Sequence, residues 1–385
     1  MSASIPSNAR NRMKQSLPEI RKRPRWGALT RVLLPSLFTL ILIVMTLAGY
    51  SVLLERKASA WIQGRIGPNR TIHPLIGWIP FVGTFLAKGG FIQPAADGGK
   101  FLFKEDALPG HVRKFYYVLA PIIALAPALA VLVMLPFGEF LYEGKRYAIS
   151  LTQGADVGVL FMFAISSLGV YGIALAGWSA NSKFPFLGAV RGAAQLISYE
   201  LAMGLSVLTV FLATSAPGQD HGLSLVAMVN AQSGAWNILT QPIAALVFLI
   251  CVFAETNRHP FDMPESETDL VGGFHTEYGA FKFGIFFVAE YSHMIIGSTL
   301  FILMFLGGWH VLPWMPTVGE GWIGSLIGVA TFFLKLCFFL FFFVWVRWTL
   351  PRFRYDQVMR IGWRVLLPIA VLNLLAYFAW YALRG

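Results

Sequence analysis

The residues whose type and position invite chemistry are carboxylates set inside apolar runs. Glu200 lies in the middle of RGAAQLISYELAMG. Glu290 and His293 lie in VAEYSHMII at i and i+3, on one face of a helix. Asp156 opens one apolar run, Glu255 closes another, and Lys335 sits within FFLKLCFFLFFF. An Asp, Lys or Arg at a bilayer centre costs about 2.5–3.5 kcal/mol on insertion scales, so each such residue needs a reason. A single one buried by a partner would only help pack a bundle. Several together point to proton or charge transfer, because a carboxyl moved into a low-dielectric site holds its proton to higher pH.

A second concentration of acid lies between two apolar runs. From Glu255 to Ala280 the chain reads ETNRHPFDMPESETDLVGGFHTEYGA, with Glu255, Asp262, Glu265, Glu267, Asp269 and Glu277 against Arg258 alone. A solvated acidic loop would need few apolar residues. Phe261, Met263, Leu270, Val271, Phe274 and Tyr278 instead argue for a loop packed against something. Neighbouring half-buried carboxylates there would push one another's pKa upward.

Other chemistries find no support. Cys251 and Cys337 both sit in apolar runs, read as two buried small hydrophobes, and no CxxC exists for a cluster or thiolate zinc site. Nothing resembles GxGxxG after a strand. Of the histidines only His293 falls deep in an apolar run, so a two-histidine haem is not supported; His73, His111, His221, His259, His275 and His310 are expected at loops or span ends. The expectation is therefore a chain with no redox centre, no metal site and no catalytic triad.

The elements that must hold these residues are membrane helices. The chain is 56% hydrophobic and only 13% charged, with a mean hydropathy of +0.64, against about 25% charged in soluble domains. Eight segments reach or approach the roughly 20 apolar residues that a bilayer core requires. They are 33–54, 115–136, 156–177, 191–214, 239–254, 281–306, 325–347 and 362–383. The expected class is an all-α polytopic membrane protein: a basic tail over 1–32, then one membrane domain over 33–385. The sixty-residue connection from Glu55 to Lys114 alternates Gly/Pro-rich and apolar stretches, and is expected to carry an amphipathic interfacial helix.

Charge orients the spans. With the first connection inside, eighteen Lys and Arg fall on the cytoplasmic side, against Lys145, Arg146 and Arg384 opposite. This places both the long first loop and the acidic loop in the cytoplasm, and leaves the eight basic residues of the tail outside. The net charge of +11 needs no nucleic acid to explain it.

Five long segments carry a family resemblance: ERKASAWIQGRIGPNR (55–70), QPAADGGKFLFKED (93–106), AISSLGVYGIALAGWSANSKFPFLGAVRGAAQLISYE (164–200), FAETNRHPFDMPESETDLVGGFHTEY (253–278) and WVRWTLPRFRYDQVMRIGWRVLLP (345–368). In this order, with eight spans, the chain resembles the H subunit of the bacterial type-I NADH–quinone oxidoreductase, respiratory complex I. The resemblance implies a subunit of a proton-translocating electron-transport enzyme of the respiratory chain, multi-pass in the cell inner membrane. It would bind no cofactor of its own, with FMN and iron–sulfur clusters in partner subunits and a quinone such as ubiquinone as substrate. Implied partners are the peripheral-arm quinone-module subunits, small and antiporter-like membrane subunits, and lipids.

By motif, the resemblance places Glu55, Arg56, Lys57, Arg65 and Asp97 at the quinone chamber or the adjacent docking surface. Glu200 and Glu290 would be intramembrane relay carboxylates. Glu255, Glu265, Glu267, Asp269 and Glu277 would belong to a mobile acidic loop sensing the quinone, and Arg191 and Arg258 would be counter-charges. Asp269 stands where the family more often has Glu, the 71–90 stretch is longer than usual, and the basic tail looks like an extension.

Three other functions compete. One keeps the membrane role with another electron donor, as in related hydrogenase, ferredoxin or deazaflavin complexes. Another is a stand-alone transporter or channel, which the intramembrane acids fit and the absence of an internal repeat disfavours. The last is a purely structural anchor.

Overall fold

The computed structural model describes residues 26–71, 80–142, 145–148, 158–214, 224–313 and 322–384. The chain divides into two units, Met1–Leu42 and Ile43–Gly385. Of the first, the described part is the start of helix α1 (Trp26–Ile62). Asp156, His73, His221 and the basic tail before Trp26 lie outside the described residues.

The second unit is built almost wholly of helices, because an apolar chain in a bilayer must satisfy its backbone internally. After α1 come α2 (Pro80–Gly89), α3 (Gln93–Phe103) and α4 (Lys114–Met134). Two strands, β1 (Glu139–Tyr142) and β2 (Lys145–Ala148), then pair as an antiparallel hairpin. Among the described residues this two-stranded hairpin is the only sheet, and the fold agrees with the expected all-α polytopic class. Next are α5 (Gly158–Ser166), α6 (Gly169–Ser179), α7 (Lys183–Thr214), α8 (Leu225–Ala231), α9 (Asn237–Thr240) and α10 (Pro242–Glu255). The acidic loop carries the short α11 (Glu267–Leu270) and a 3-10 turn, Gly273–His275. It leads into α12 (Ala280–Phe305), α13 (Trp322–Thr349), α14 (Tyr355–Arg360), a π-helical turn Ile361–Leu366 and α15 (Leu367–Arg384).

Six helical stretches among the described residues are long and apolar enough to cross a membrane: Lys114–Leu132, Gly158–Ser179, Lys183–Thr214, Ala280–Phe305, Trp322–Thr349 and Tyr355–Leu383. Of the two further expected spans, 33–54 falls within α1, and 239–254 is divided between the end of the short α9 and the fourteen-residue α10.

Helices α4, α6, α7, α10 and α12 form the centre of the unit, with α15 against α7 and α13 against α12. The core shared by α4, α6, α7 and α12 includes Tyr117, Ala120, Ala124, Ala176, Ala189, Phe286 and Ala289, with Phe274 and Tyr278 of the acidic loop packed into it. The loop is therefore part of the core, as its apolar residues demand. Small residues make this possible: a Cβ at Gly188 of α7 would meet only backbone, the Pro264 carbonyl at 2.8 Å and the Phe274 nitrogen at 2.9 Å.

Two expectations about polar residues change. Cys251 is buried, but Cys337 is exposed on α13, on a face that a bilayer would cover. His310, expected at a solvated span end, is 3% exposed. Lys335 also finds its reason here: its ammonium donates to the carbonyls of Leu306 (2.7 Å), Gly308 (3.0 Å) and His310 (2.6 Å) and lies 4.6 Å from the Trp236 ring centroid. All three N–H donors are thus used at the C-terminal end of α12, where carbonyls lack intrahelical partners.

Candidate functional site

Glu290 and His293 sit on the same face of α12, one turn apart, and that face turns inward. Glu200 projects from α7, Glu255 ends α10, and Glu265 sits in the loop held on the Gly188 face of α7. All five side chains line one cavity of about 60 Å³. That is space for several waters at about 10–15 Å³ each. Thr256, Asn257, Ser166 and Ser167 add polar groups to its wall, and Ile173, Leu196, Phe274 and Phe286 make the rest apolar. The two serines mark the break between α5 and α6, where backbone bonds tighten to the i→i+3 pattern, such as Val170 N–H to the Ser167 carbonyl at 3.3 Å.

A charge cluster centred on Arg258 adjoins this cavity. Arg258 Nη1 donates to Glu55 Oε2 at 2.8 Å. Its Nε stands 2.5 Å from Glu290 Oε1, an ion pair whose N–H is not aligned for a hydrogen bond. The guanidinium carbon lies 4.4 Å from the Tyr291 ring centroid, and the Tyr291 hydroxyl donates to Glu55 Oε2 at 2.7 Å. Arg347 donates to the other Glu55 oxygen. The side chains of Arg258, Glu55 and Glu290 are only 5%, 11% and 13% exposed. One guanidinium thus joins the first described helix to the Glu290 face of α12.

The loop is tied down from the far end of the chain. Arg352 Nη2 donates to Asp262 Oδ2 at 2.7 Å and lies 3.0 Å from His259 Nε2, while its Nη1 donates to Ser266 Oγ at 3.2 Å. Gln195 of α7 offers its amide nitrogen to the carbonyls of Ala254 (2.7 Å) and Phe261 (2.8 Å), joining the end of α10 to α7.

Other expected site residues lie apart from the cavity lining. Arg56 pairs with Asp97 at 2.7 Å, with Arg56 half exposed. Lys57 donates to the Ile66 and Lys88 carbonyls, and Arg65 Nε to Gln63. Among the described residues these contacts link the end of α1 and the residues just after it to α2 and α3. Arg191 pairs with Asp269 at 3.5 Å, and Glu277 with His111 at 3.7 Å. Glu267 opens α11. Sequence reasoning named Asp262 only as one acid of the loop, and missed Arg347, Arg352, Tyr291 and His259 as members of the charged network.

Burial sets the protonation of the loop. It pushes the His275 imidazole down to about 4. It does the same to His259, to about 4, helped by the positive charges of Arg352, Arg347 and Arg258. Burial pushes Asp262 up to about 6, outweighing the pull of Arg352. Glu265 is held well above the ordinary carboxylate range by burial, then by the charges of Glu290 and Asp262, against Arg258 and Arg347. At the Glu265–His275 contact of 3.5 Å, burial thus favours the protonated acid and the neutral imidazole.

This arrangement predicts how the loop responds to pH. A histidine with a lowered native pKa resists protonation, so its contribution is lost as pH falls from about 6.5 toward its native value. A carboxyl with a raised native pKa resists ionisation, so its contribution is full below about 4 and is lost as pH rises through the native value. Between about 4.5 and 6.5 the two histidines and the two carboxyls oppose one another, and above that range the histidines add no further pH dependence. Amide exchange over residues 259–275, corrected for its intrinsic pH dependence, is expected to quicken as pH rises through the native ionisation of Glu265, whose pKa burial raises. Glu265→Gln should remove that quickening; an unchanged pH dependence in the variant would contradict the assignment.

Among the described residues no group of three or more His, Cys, Asp or Glu is arranged to hold a metal ion. What the site can do is hold protons and fixed charges near one another inside an apolar bundle.

Known proteins give this geometry a context. A family model described as NADH dehydrogenase matches residues 35–378. The H subunit of the NADH-quinone oxidoreductase of Flavobacterium johnsoniae is 42% identical over 337 residues, 86% of this chain and 90% of its own length. An H subunit of the same enzyme from Geobacter metallireducens is 46% identical over 334 residues, covering 86% and 91%. The one from Syntrophotalea carbinolica is 42% identical over 360 residues, covering 91% and 99%. With a matching family model over most of its length and relatives well above 30% identity, the chain belongs to the family of NADH-quinone oxidoreductase H subunits.

Proposed function

We propose that the chain is a membrane subunit of a proton-pumping NADH:quinone oxidoreductase. It helps form the quinone-binding chamber and couples quinone reduction to proton translocation through buried carboxylates. The observation that carries this is the single cavity lined by Glu200, Glu255, Glu265 and Glu290, brought from α7, α10, the acidic loop and α12. Packing alone has no use for four acids around one small space.

In this reading, residues 33–385 form one membrane domain of eight spans in the bacterial inner membrane, following the basic tail. The exposed Phe85, Leu102 and Phe103 of α2 and α3 suit the proposed interfacial helix. The polar residues Arg56, Lys57, Arg65 and Asp97 border the quinone chamber or the docking face for the peripheral-arm subunits. Glu55 joins that border to the buried cluster. The loop residues Glu267, Asp269 and Glu277, with Arg191, belong to the element that senses the quinone. The long first loop and the acidic loop face the cytoplasm. Electrons reach the quinone from FMN and iron–sulfur clusters in partner subunits, and no redox centre belongs to this chain.

A quinone that accepts two electrons takes up two protons to become a quinol. The change in charge at the chamber is felt at Glu55, whose carboxylate is shared by Arg258 and Arg347. Any shift of Arg258 alters its hold on Glu290, and the carboxyls around the cavity redistribute protons in response.

The test is Glu200→Gln in the assembled enzyme. The variant should assemble and oxidise NADH with an artificial acceptor at the normal rate. Quinone-coupled turnover should fall about tenfold or more, with proton pumping falling alongside. Normal coupled rate and pumping would remove the relay reading.

A further inference from the structure

Among the described residues, His293 is the one ionisable group around the cavity that is not an acid, and the relay of carboxyls leaves it without a role. It stands one turn beyond Glu290 on α12 and reaches across the bundle to the interrupted helix α5–α6. Its Nε2 lies 3.5 Å from where a Cβ on Gly169 would stand. The absence of a side chain at Gly169 lets the ring lie against the break. A second, smaller cavity of about 10 Å³ begins there, and His293, Glu255, Thr256 and Ser166 line both spaces. Beyond these four, the smaller cavity is walled by apolar residues such as Met162, Phe248 and Leu300. His293 is therefore part of the wall between the acid-lined space and the apolar interior.

We propose that His293 is a proton-carrying residue of this chain, working between the acid-lined cavity and the polar rim of the smaller one. This rests on the proton-relay reading of the cavity. Imidazole suits the place, because it can take a proton at one ring nitrogen and release one from the other, leaving the ring neutral as before. The charged or titratable groups that share its cavity are Glu290 on its own helix, Glu255 on α10, Glu200 on α7 and Glu265 in the loop. The α5–α6 break contributes Ser166 and Ser167, which can pass a proton by hydroxyl rotation but cannot store one. The four carboxyls supply and accept protons. His293, beside Glu255, moves them along the wall that the two spaces share.

The experiment compares His293→Asn and His293→Ala with the native enzyme, assembled and reconstituted in proteoliposomes. NADH oxidation by an artificial acceptor reports assembly. Quinone-coupled rate and pumped protons per electron pair are measured across pH, with and without added imidazole. Both variants should assemble and lose about tenfold or more of coupled turnover. The pH profile should lose the inflection that the histidine supplies, and imidazole should restore part of the rate in His293→Ala. A native pH profile and proton ratio in His293→Asn would overturn the proposal. So would failure of both variants to assemble, which would make the residue structural. If Glu200→Gln lowers pumping while His293→Asn does not, only the role of His293 falls. If neither lowers it, the relay reading falls first.

Discussion

Replacing Arg258 with methionine should be among the most damaging single changes in this chain. The side chain is 5% exposed and is shared by two carboxylates, Glu55 at 2.8 Å and Glu290 at 2.5 Å. Glu55 would keep Arg347 and the Tyr291 hydroxyl. Glu290 would lose the guanidinium it pairs with, and would have to ionise in an apolar bundle or take up a proton. Removing one partner of a buried ion pair typically costs about 3–5 kcal/mol, most of it the penalty on the charge left behind. Arg258→Met should therefore sharply lower the amount of assembled enzyme and the thermal midpoint of what remains. Arg258→Lys should recover little, because one ammonium cannot present two separate N–H faces to carboxylates on different helices while stacking on Tyr291. Neutralising the stranded acid in Arg258→Met/Glu290→Gln should recover stability without recovering coupled turnover. The assembled fraction, thermal midpoint and coupled rate of these three variants are the measurements that decide it. A methionine variant as stable as the native enzyme would show that the pairs carry no energy.

The amino-acid order conceals most of the contacts around Arg258. Glu200, Glu290 and His293 stand out in the sequence because hydrocarbon penalises polar groups, so their mere presence in an apolar run is informative. The acidic loop stands out because six carboxylates in 26 residues break the local rule for a basic face. Arg347 and Arg352 have no such contrast. They sit among Arg354, Arg360 and Arg364 in a stretch where positive charge is expected on orientation grounds alone. Only folding brings Arg347 to Glu55, 292 residues away, and Arg352 to Asp262, 90 residues away. Tyr291, next to a residue singled out for its charge, reads as an ordinary aromatic until its hydroxyl is found on Glu55.

Helix positions follow the same logic. The long apolar stretches become helices because nothing else satisfies a backbone in lipid. The break at Ser167–Leu168 has no Pro and one flanking Gly in a chain rich in Gly, and the strands Glu139–Tyr142 and Lys145–Ala148 are short and partly charged, so neither has a strong local signature. His259, His275 and His310 carry no mark of burial, since a histidine in a loop looks the same whether water or an arginine covers it.

The second large effect is steric, and it lies at Gly273. Its φ is +62°, a conformation that costs an L-residue about 1–2 kcal/mol. A Cβ there would also overlap the Pro264 carbonyl oxygen and stand 2.7 Å from the Pro264 carbon and 2.9 Å from the Cα of Glu265. All of these are main-chain atoms and cannot rotate away. Nor can the loop slide toward α7, because Gly188 already has the Pro264 carbonyl and the Gly273 Cα at contact on its open face. Gly273→Ala must therefore lift the Pro264–Glu265 segment, and Glu265 with it, away from the cavity. Adding about 1–3 kcal/mol for overpacking brings the expected loss to roughly 2–5 kcal/mol. Amide exchange over 262–275 should accelerate, and coupled turnover should drop while NADH oxidation by an artificial acceptor persists. Gly279→Ala is the matched control, since a Cβ at Gly279 meets nothing within 4 Å and its φ of −130° is open to any residue. If the two variants behaved alike, the seat of the acidic loop on α7 would not be what places Glu265.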